Sequence, residues 1–270
     1  MDGVVNAPAP GDTADRPVRA VAFVPARSGS QRAPHKNVRL LAGHPLIAYT
    51  IAAAREAGVF EAVVVSTDDA TYAEVARHYG AEVPFLRPTE LATSTSSDIE
   101  WVKNTFDHLA ADFRTYDAFA ILRPTSPFRQ ATTIRRAWEA FRTETGVDAL
   151  RAVELAQQHP GKMWVVKGRR MMPLLPLNKD DTPWHSQQYA SLPPVYVQNA
   201  SLEIAWARVV ADTRTISGHV LMPFLTEGLE GFDVNNENEW AAAERHVAAG
   251  APLPEIDAAP FPAERLPRPA

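Results

Sequence analysis

Several short words in this chain hold side chains suited to an anionic ligand. The first is Arg27-Ser28-Gly29-Ser30, followed at close range by Arg32, Lys36 and Asn37. Small residues let backbone N–H groups approach phosphate oxygens, while Arg27, Arg32 and Lys36 can neutralise their charge. Neither a Walker A loop nor a G-x-G-x-x-G fingerprint is present, so nucleotide binding here would need another loop design. The alternative is an ordinary basic surface loop. A second word, Arg123-Pro124-Thr125-Ser126-Pro127-Phe128-Arg129, brackets two hydroxyls with arginines. It suits an anion, and equally a proline-stiffened strand exit.

Two more words are polar without being basic. In Tyr196-Val197-Gln198-Asn199-Ala200-Ser201, adjacent amides can donate and accept toward a polar ligand, or simply form a turn before a strand. In Phe232-Asp233-Val234-Asn235-Asn236, residues 233 and 235 share one side of an extended segment. They offer hard oxygen donors to Mg²⁺, or an N-cap to the next helix. His159, His185 and Trp184 sit in words that could touch a substrate, but their spacing carries no metal pattern.

Elements that would position these words can be read from periodicity. The run AVAFV within 18–25 reads as a buried strand ending just before the first word. Pro45 opens a helix whose apolar positions recur to Ala54, and Gly58 ends it. Residues 62–66 predict a second strand, with Asp68 and Asp69 as capping chemistry for a helix to Tyr79. A short third strand is expected over 81–85. Ser97 and Glu100 form a capping box for a helix over 98–111, and AFAIL at 118–122 is a strand leading into the arginine-proline word. A helix over 132–145, strands near 149–153 and 201–206, and a last helix over 237–248 complete the body.

Strands alternating with helices predict an α/β fold with a mainly parallel sheet covered on both faces. Ligands of such sheets bind beyond the carboxyl ends of the strands, where the first two words lie. The stretch 157–195 interrupts the alternation and reads as an inserted arm for substrate or dimer contact. Residues 1–17 and the Pro-rich 251–270 read as mobile tails around a domain of 18–250.

Bulk properties narrow the function. The chain has 270 residues, no cysteine and a net charge of −5. That rules out a thiolate metal site or a cysteine nucleophile and argues against a duplex nucleic-acid partner. No apolar stretch long enough to span a membrane and no secretory pattern is found, so a cytoplasmic setting is expected.

The order of words resembles the acylneuraminate cytidylyltransferase family, the CMP-sialic acid synthetases and their relatives for other nonulosonic acids. It runs PARSGSQRAPHKN, LAGHPLIAYTI, VVVSTDD, AEVPFLRP, LATSTSSD, ILRPTSPFR, YVQNASLEI, FDVNN, from Val18 to Ala248. The resemblance is thinner between 155 and 195. It implies a Rossmann-like nucleotidyltransferase, a homodimer, Mg²⁺, and attack by a sugar's anomeric hydroxyl on the α-phosphate of CTP with loss of pyrophosphate. It implies that Arg27, Ser28, Gly29, Ser30, Arg32, Lys36 and Asn37 hold the triphosphate, and that Arg87 with the 91–97 segment, including Ala92 and Ser94, surrounds the base. Arg123, Thr125, Ser126, Gln198 and Asn199 would face the sugar, and Asp233 with Asn235 the metal. Arg27, Lys36 and Asp233 would carry the catalysis.

This chain departs from the family pattern at four positions. Gln31 replaces a lysine, Ser94 an aspartate, Arg123 a glutamine and Asn235 the second metal aspartate. The added cation at Arg123 suggests an acceptor with an extra anionic group. The departures keep two rivals open: a nucleotidyltransferase for a sugar phosphate or phosphonate, and a catalytically weakened nucleotide-binding homologue.

Overall fold

The computed structural model describes residues 16–30, 33–175 and 182–267. They form two compact units: the first ends at Ala152 and resumes at Asn199, and the second is Val153–Gln198.

In chain order the strands are β1 (Ala20–Pro25), β2 (Leu40–Leu41), β3 (His44–Pro45), β4 (Ala62–Ser66), β5 (Ala118–Ile121), β6 (Ala149–Leu155), β7 (Trp164–Lys167), β8 (Arg170–Pro173), β9 (Tyr196–Trp206) and β10 (Leu221–Leu225). The helices are α1 (Leu46–Ala57), α2 (Ala70–His78), α3 (Asp98–Ala111), α4 (Ala131–Thr143), α5 (Arg208–Asp212) and α6 (Glu237–Ala248). The main sheet has the order β10-β6-β9-β5-β1-β4. β1 pairs in parallel with both β4 and β5, and β9 runs antiparallel to β5.

The continuous apolar run of β1 follows from burial on both faces. Ala20, Ala22 and Val24 pack with α1, α2 and α4 residues such as Ile47, Val75 and Ile134. Val21 and Phe23 point the other way, toward Trp101, Val102 and Leu109 of α3. Capping ends the elements where the site begins. Asp69 accepts from the Tyr72 amide at 2.9 Å to start α2, Glu100 accepts from the Ser97 amide at 2.8 Å to start α3, and Asn236 accepts from the Glu239 amide at 3.0 Å to start α6. α1 stops at Gly58, whose φ of 67° favours a residue without Cβ.

Two expectations change. The third strand over 81–85 shrinks to one parallel bridge, Val64 to Glu82, because Pro84 has no N–H to extend the ladder. The Pro-rich stretch after α6 is seated on the body through residue 267. Phe261 is 4% exposed, and its amide donates to the Tyr79 hydroxyl at 3.0 Å. Proline restricts the free chain, so one aromatic anchor orders this stretch at small entropic cost. The N-terminal tail expected over 1–17 lies outside the described residues except for Arg16 and Pro17. Among the described residues no helix is long and apolar enough to cross a membrane.

The second unit takes in the stretch read as an insert over 157–195, of which residues 176–181 lie outside the described residues. Its β7–β8 hairpin is antiparallel. His159 is buried: Nδ1 accepts from the Gly161 amide at 3.0 Å and Nε2 lies 3.0 Å from the Pro193 carbonyl, with Trp184 and Tyr189 against the ring. Lys162 donates to the His185 carbonyl at 3.2 Å. These groups brace their own unit.

Candidate active site

A cavity of about 490 Å³ opens in the first unit where β1, β4 and β5 end. β1 contributes Pro25 and delivers Arg27, Ser30, Lys36 and Asn37. The chain beyond β4 brings Arg87, Leu91, Thr93, Ser94 and Ser96, and α3 begins with Asp98 and Trp101. β5 leads into Arg123, Pro124 and Thr125, while Asp233 and Asn235 close the wall ahead of α6. Among the described residues, four basic side chains face two carboxylates, so the cavity favours an anion.

The first word is held from two sides. The Ser28 amide and hydroxyl both donate to the Asp68 carboxylate, each at 2.8 Å. Asn37 is 5% exposed and donates to the Arg27 carbonyl at 3.3 Å, while the Arg27 guanidinium donates to the Thr93 carbonyl. Lys36 reaches across the cavity, its Nζ donating to the Val234 carbonyl at 3.0 Å and to Asn235 Oδ1 at 3.3 Å. The 233–235 segment is itself fixed. The Val234 amide donates to the Thr125 carbonyl at 2.8 Å, and the Asn235 amide donates to Glu239 at 2.6 Å.

A chain of charges forms the opposite wall. Arg87 is 4% exposed, donates to the Ser66 hydroxyl and carbonyl at 2.9 and 2.7 Å, and lies 4.9 Å above the Trp101 ring. Burial pushes its pKa down to about 10, which leaves it charged at neutral pH. The Trp101 indole donates to Asp98 Oδ1 at 2.8 Å. Arg123 donates through one nitrogen to Asp98 at 2.6 Å and Glu203 at 3.1 Å, and Glu203 lies 3.1 Å from Arg151. Burial works against charge on Arg123, but Asp98 and Glu203 overcome it and hold its pKa above the ordinary value. Burial likewise opposes ionisation of Asp98, and Arg123 outweighs it, so the Asp98 pKa lies below the usual carboxylate value.

These contacts alter the reading of the arginine-proline word. Arg123 is balanced by two carboxylates, so its charge alone does not require an extra anion on an acceptor. Arg129 is 1% exposed and faces inward, donating to the Ser201 and Arg123 carbonyls and to the Thr50 hydroxyl at 2.8 Å. It is a brace. Thr125 lines the cavity, whereas Ser126 is 1% exposed with its hydroxyl unpartnered behind the wall.

The structure thus brings together Arg27, Ser30, Lys36, Asn37, Arg87, Ser94, Arg123, Thr125, Asp233 and Asn235. Ser28, Gly29 and Ala92 lie outside the lining, with Ser28 turned to Asp68. Asn199 bonds the Thr226 hydroxyl at 2.8 Å and the Ser201 amide, also away from the lining, and Gln198 is the last residue of the second unit. Arg32 falls outside the described residues. Sequence reasoning missed Asp98, Trp101 and Asp68. A helix N-terminus carrying Asp and, three residues on, Trp was the signal for the first two, but it reads as capping until Arg123 arrives from another strand.

The Asp98–Arg123 contact predicts measurable coupling. Asp98→Ala should cost roughly 1–3 kcal/mol by leaving Arg123 short of a partner, and Asp98→Ala with Arg123→Ala should cost less than the sum of the singles. Urea unfolding of the four proteins measures this, and strict additivity would show the pair to be uncoupled.

Known proteins resemble this chain in sequence and in fold. The family model described as Cytidylyltransferase matches residues 21–193. The CMP-N,N'-diacetyllegionaminic acid synthase of Legionella pneumophila subsp. pneumophila is 36% identical over 229 residues, 84% of this chain and 96% of that protein. The N-acylneuraminate cytidylyltransferase of Escherichia coli O18:K1:H7 is 43% identical over 125 residues, 46% of this chain but 29% of its own length. Among solved structures, a CMP:2-keto-3-deoxy-manno-octonic acid synthetase complexed with CTP superposes with a TM-score of 0.62 at 14% identity, covering 86% of this chain and 99% of that one. A cytidylyltransferase from Leptospira borgpetersenii superposes at 0.53 with 12% identity, covering 88% and 90%. At that identity these two bear on the fold alone.

The α/β fold seen with those relatives defines a nucleotidyltransferase. Within that class, the chain belongs to the cytidylyltransferase family.

Proposed function

We propose that this enzyme joins CMP from CTP to a nonulosonic, sialic-acid-like acid and releases pyrophosphate. The observation that carries the reading is the clustering of Arg27, Lys36, Arg87 and Arg123 around one cavity in a member of this family. In the proposed reaction the acid's anomeric hydroxyl oxygen bonds to the α-phosphorus. The bond from that phosphorus to the oxygen bridging to the β-phosphate breaks, and the hydroxyl proton passes to solvent or a phosphate oxygen. No protein nucleophile is required. Positioning and charge neutralisation carry such a transfer.

In this reading Arg27, Ser30, Lys36 and Asn37 grip the triphosphate. Arg87 and the 91–96 segment surround the base, and Arg123 with Thr125 orients the acid. The donors suit a hard divalent cation. Asp233 Oδ1 is buried without a hydrogen-bond partner, and Oδ2 accepts from Asn235 at 2.5 Å. Mg²⁺ would be held by Asp233 and would supply charge neutralisation to the phosphates; the Asn235 oxygen, which accepts from Lys36 Nζ at 3.3 Å while its Nδ2 faces Asp233, would join as a neutral donor only with its amide turned over. We assign the enzyme to the cytoplasm as a homodimer. Exposed Val166, Met171, Met172 and Leu174 around the second unit's hairpin support a contact between copies.

Pyrophosphate release tests the reading. CTP, GTP, UTP and ATP would each be offered with Mg²⁺ and a panel of nonulosonic acids. Release with CTP and one acid is expected, falling about 10²-fold or more in Arg27→Ala. Release only with another triphosphate would overturn the base assignment. CTP binding without release would favour the sugar-phosphate, phosphonate or non-catalytic alternatives.

A further inference from the structure

The chain after α6 runs behind the elements that hold Lys36, and its contacts go beyond anchoring an end. Leu253 and Ile256 pack on the cluster that contains Leu41 and Val234. Val234 lies between Asp233 and Asn235, and its carbonyl accepts from Lys36 Nζ. Further on, His78 Nε2 donates to the Ala259 carbonyl at 2.7 Å, and Phe261 is buried against α2 with its amide on Tyr79. Arg265 pairs with Glu74 and lies 5.3 Å above the Phe261 ring. Ala263, Leu266 and Pro267 then face Pro34, His35 and Val38 across a small cavity of about 170 Å³. Leu266 also packs on the core cluster that includes Val38.

The turn beneath this stretch is strained. His35 has a φ of 53° and a ψ of 21°, in the left-handed region that L-residues avoid. It immediately precedes the short helical turn Lys36–Val38, so its conformation aims Lys36. Such a backbone persists only when its surroundings over-determine it. Tyr72 holds the His35 ring, with Nδ1 and the hydroxyl 3.1 Å apart. Arg39 is held by Glu237 at 2.8 Å and by the Trp240 ring at 4.1 Å. The C-terminal stretch adds support from the other side.

We infer that residues 253–267 are a positioning strap: they press on Val38 and Val234 from behind and so fix Lys36 where it meets the nucleotide's phosphates. This rests on the proposal that the cavity holds CTP. Without the strap, the turn would sample conformations in which Lys36 is misaimed, and apparent CTP affinity would fall in proportion to the competent fraction lost.

Two variants test it: Leu266→Ala in the full chain, and a chain ending at Pro262, which keeps Phe261 and its bond to Tyr79. Calorimetric CTP affinity without acceptor should fall about fivefold to tenfold in both. Amide exchange at Val38 and Arg39 should quicken relative to β5, which reports global stability, and KM for the acid should stay within about twofold. Unchanged CTP affinity with unchanged exchange in Leu266→Ala would overturn the strap, as would quickening shared equally by β5. If the unaltered protein binds no CTP, the nucleotide assignment fails instead, while exchange at residues 38 and 39 still decides whether the stretch holds the turn.

Discussion

Replacing Lys36 by alanine should lower turnover by about 10²- to 10³-fold while barely moving the melting temperature. The size follows from where the charge sits. Lys36 Nζ is tied to the Val234 carbonyl and to Asn235 Oδ1, on the wall that also carries Asp233. In the proposed reaction, a cation fixed there before the triphosphate arrives would not need to reorganise as charge shifts to the leaving pyrophosphate, so its stabilisation would be greatest in the transition state. Stability should change little, because removing Lys36 forfeits hydrogen bonds worth only about 1 kcal/mol each at a half-buried position. Lys36→Arg should rescue poorly, since a planar fork cannot reproduce a compact ammonium between two oxygens. Steady-state pyrophosphate release with matched thermal melts checks this. A variant within about threefold of the parent would remove Lys36 from the chemistry.

Arg129→Ala should act in the opposite way, costing roughly 3–5 kcal/mol of stability. Arg129 is fully enclosed and its guanidinium ties together the start of its own word at Arg123, Thr50 of α1 and Ser201 of β9. Burial pushes its pKa down to about 9, and its Nε is buried without a partner. The brace is therefore imperfect, yet deleting it is worse. Truncation leaves several acceptors without their donor and a cavity the size of a long side chain. For a chain of this size, 3 kcal/mol is about 10 °C in melting temperature. Urea unfolding measures the loss directly. A cost below about 1 kcal/mol would show that water or a neighbour replaces the guanidinium.

Arg129 and Arg123 also show how far residue order alone can be read. Both lie in one word, six residues apart, and look alike as candidate anion ligands. One lines the cavity and the other is sealed behind it, because the chain turns at Pro124 and Pro127 and carries Arg129 inward beneath β9. Asp68 and Asp69 divide in a similar way. Asp69 caps α2 as local chemistry requires, while Asp68 crosses to Ser28, forty residues away. Nothing in either word's immediate neighbours distinguishes its two members.

The local levels are present in the residue order itself. Apolar runs located β1, β4 and β5, capping chemistry located the starts of α3 and α6, and residue order carried the family and the cluster from Arg27 to Asn235. Each depends on near neighbours in the chain or on word order, which are present in the string itself. The partnership of Arg123 with Asp98 and Glu203, the inward turn of Arg129, and the seating of 251–267 on α2 and the Lys36 turn all depend on segments 25 to 191 residues apart meeting in space. The free energy that selects such contacts comes from burial and charge pairing in the assembled core. A composition rich in proline marks a tail only until a buried phenylalanine finds its pocket.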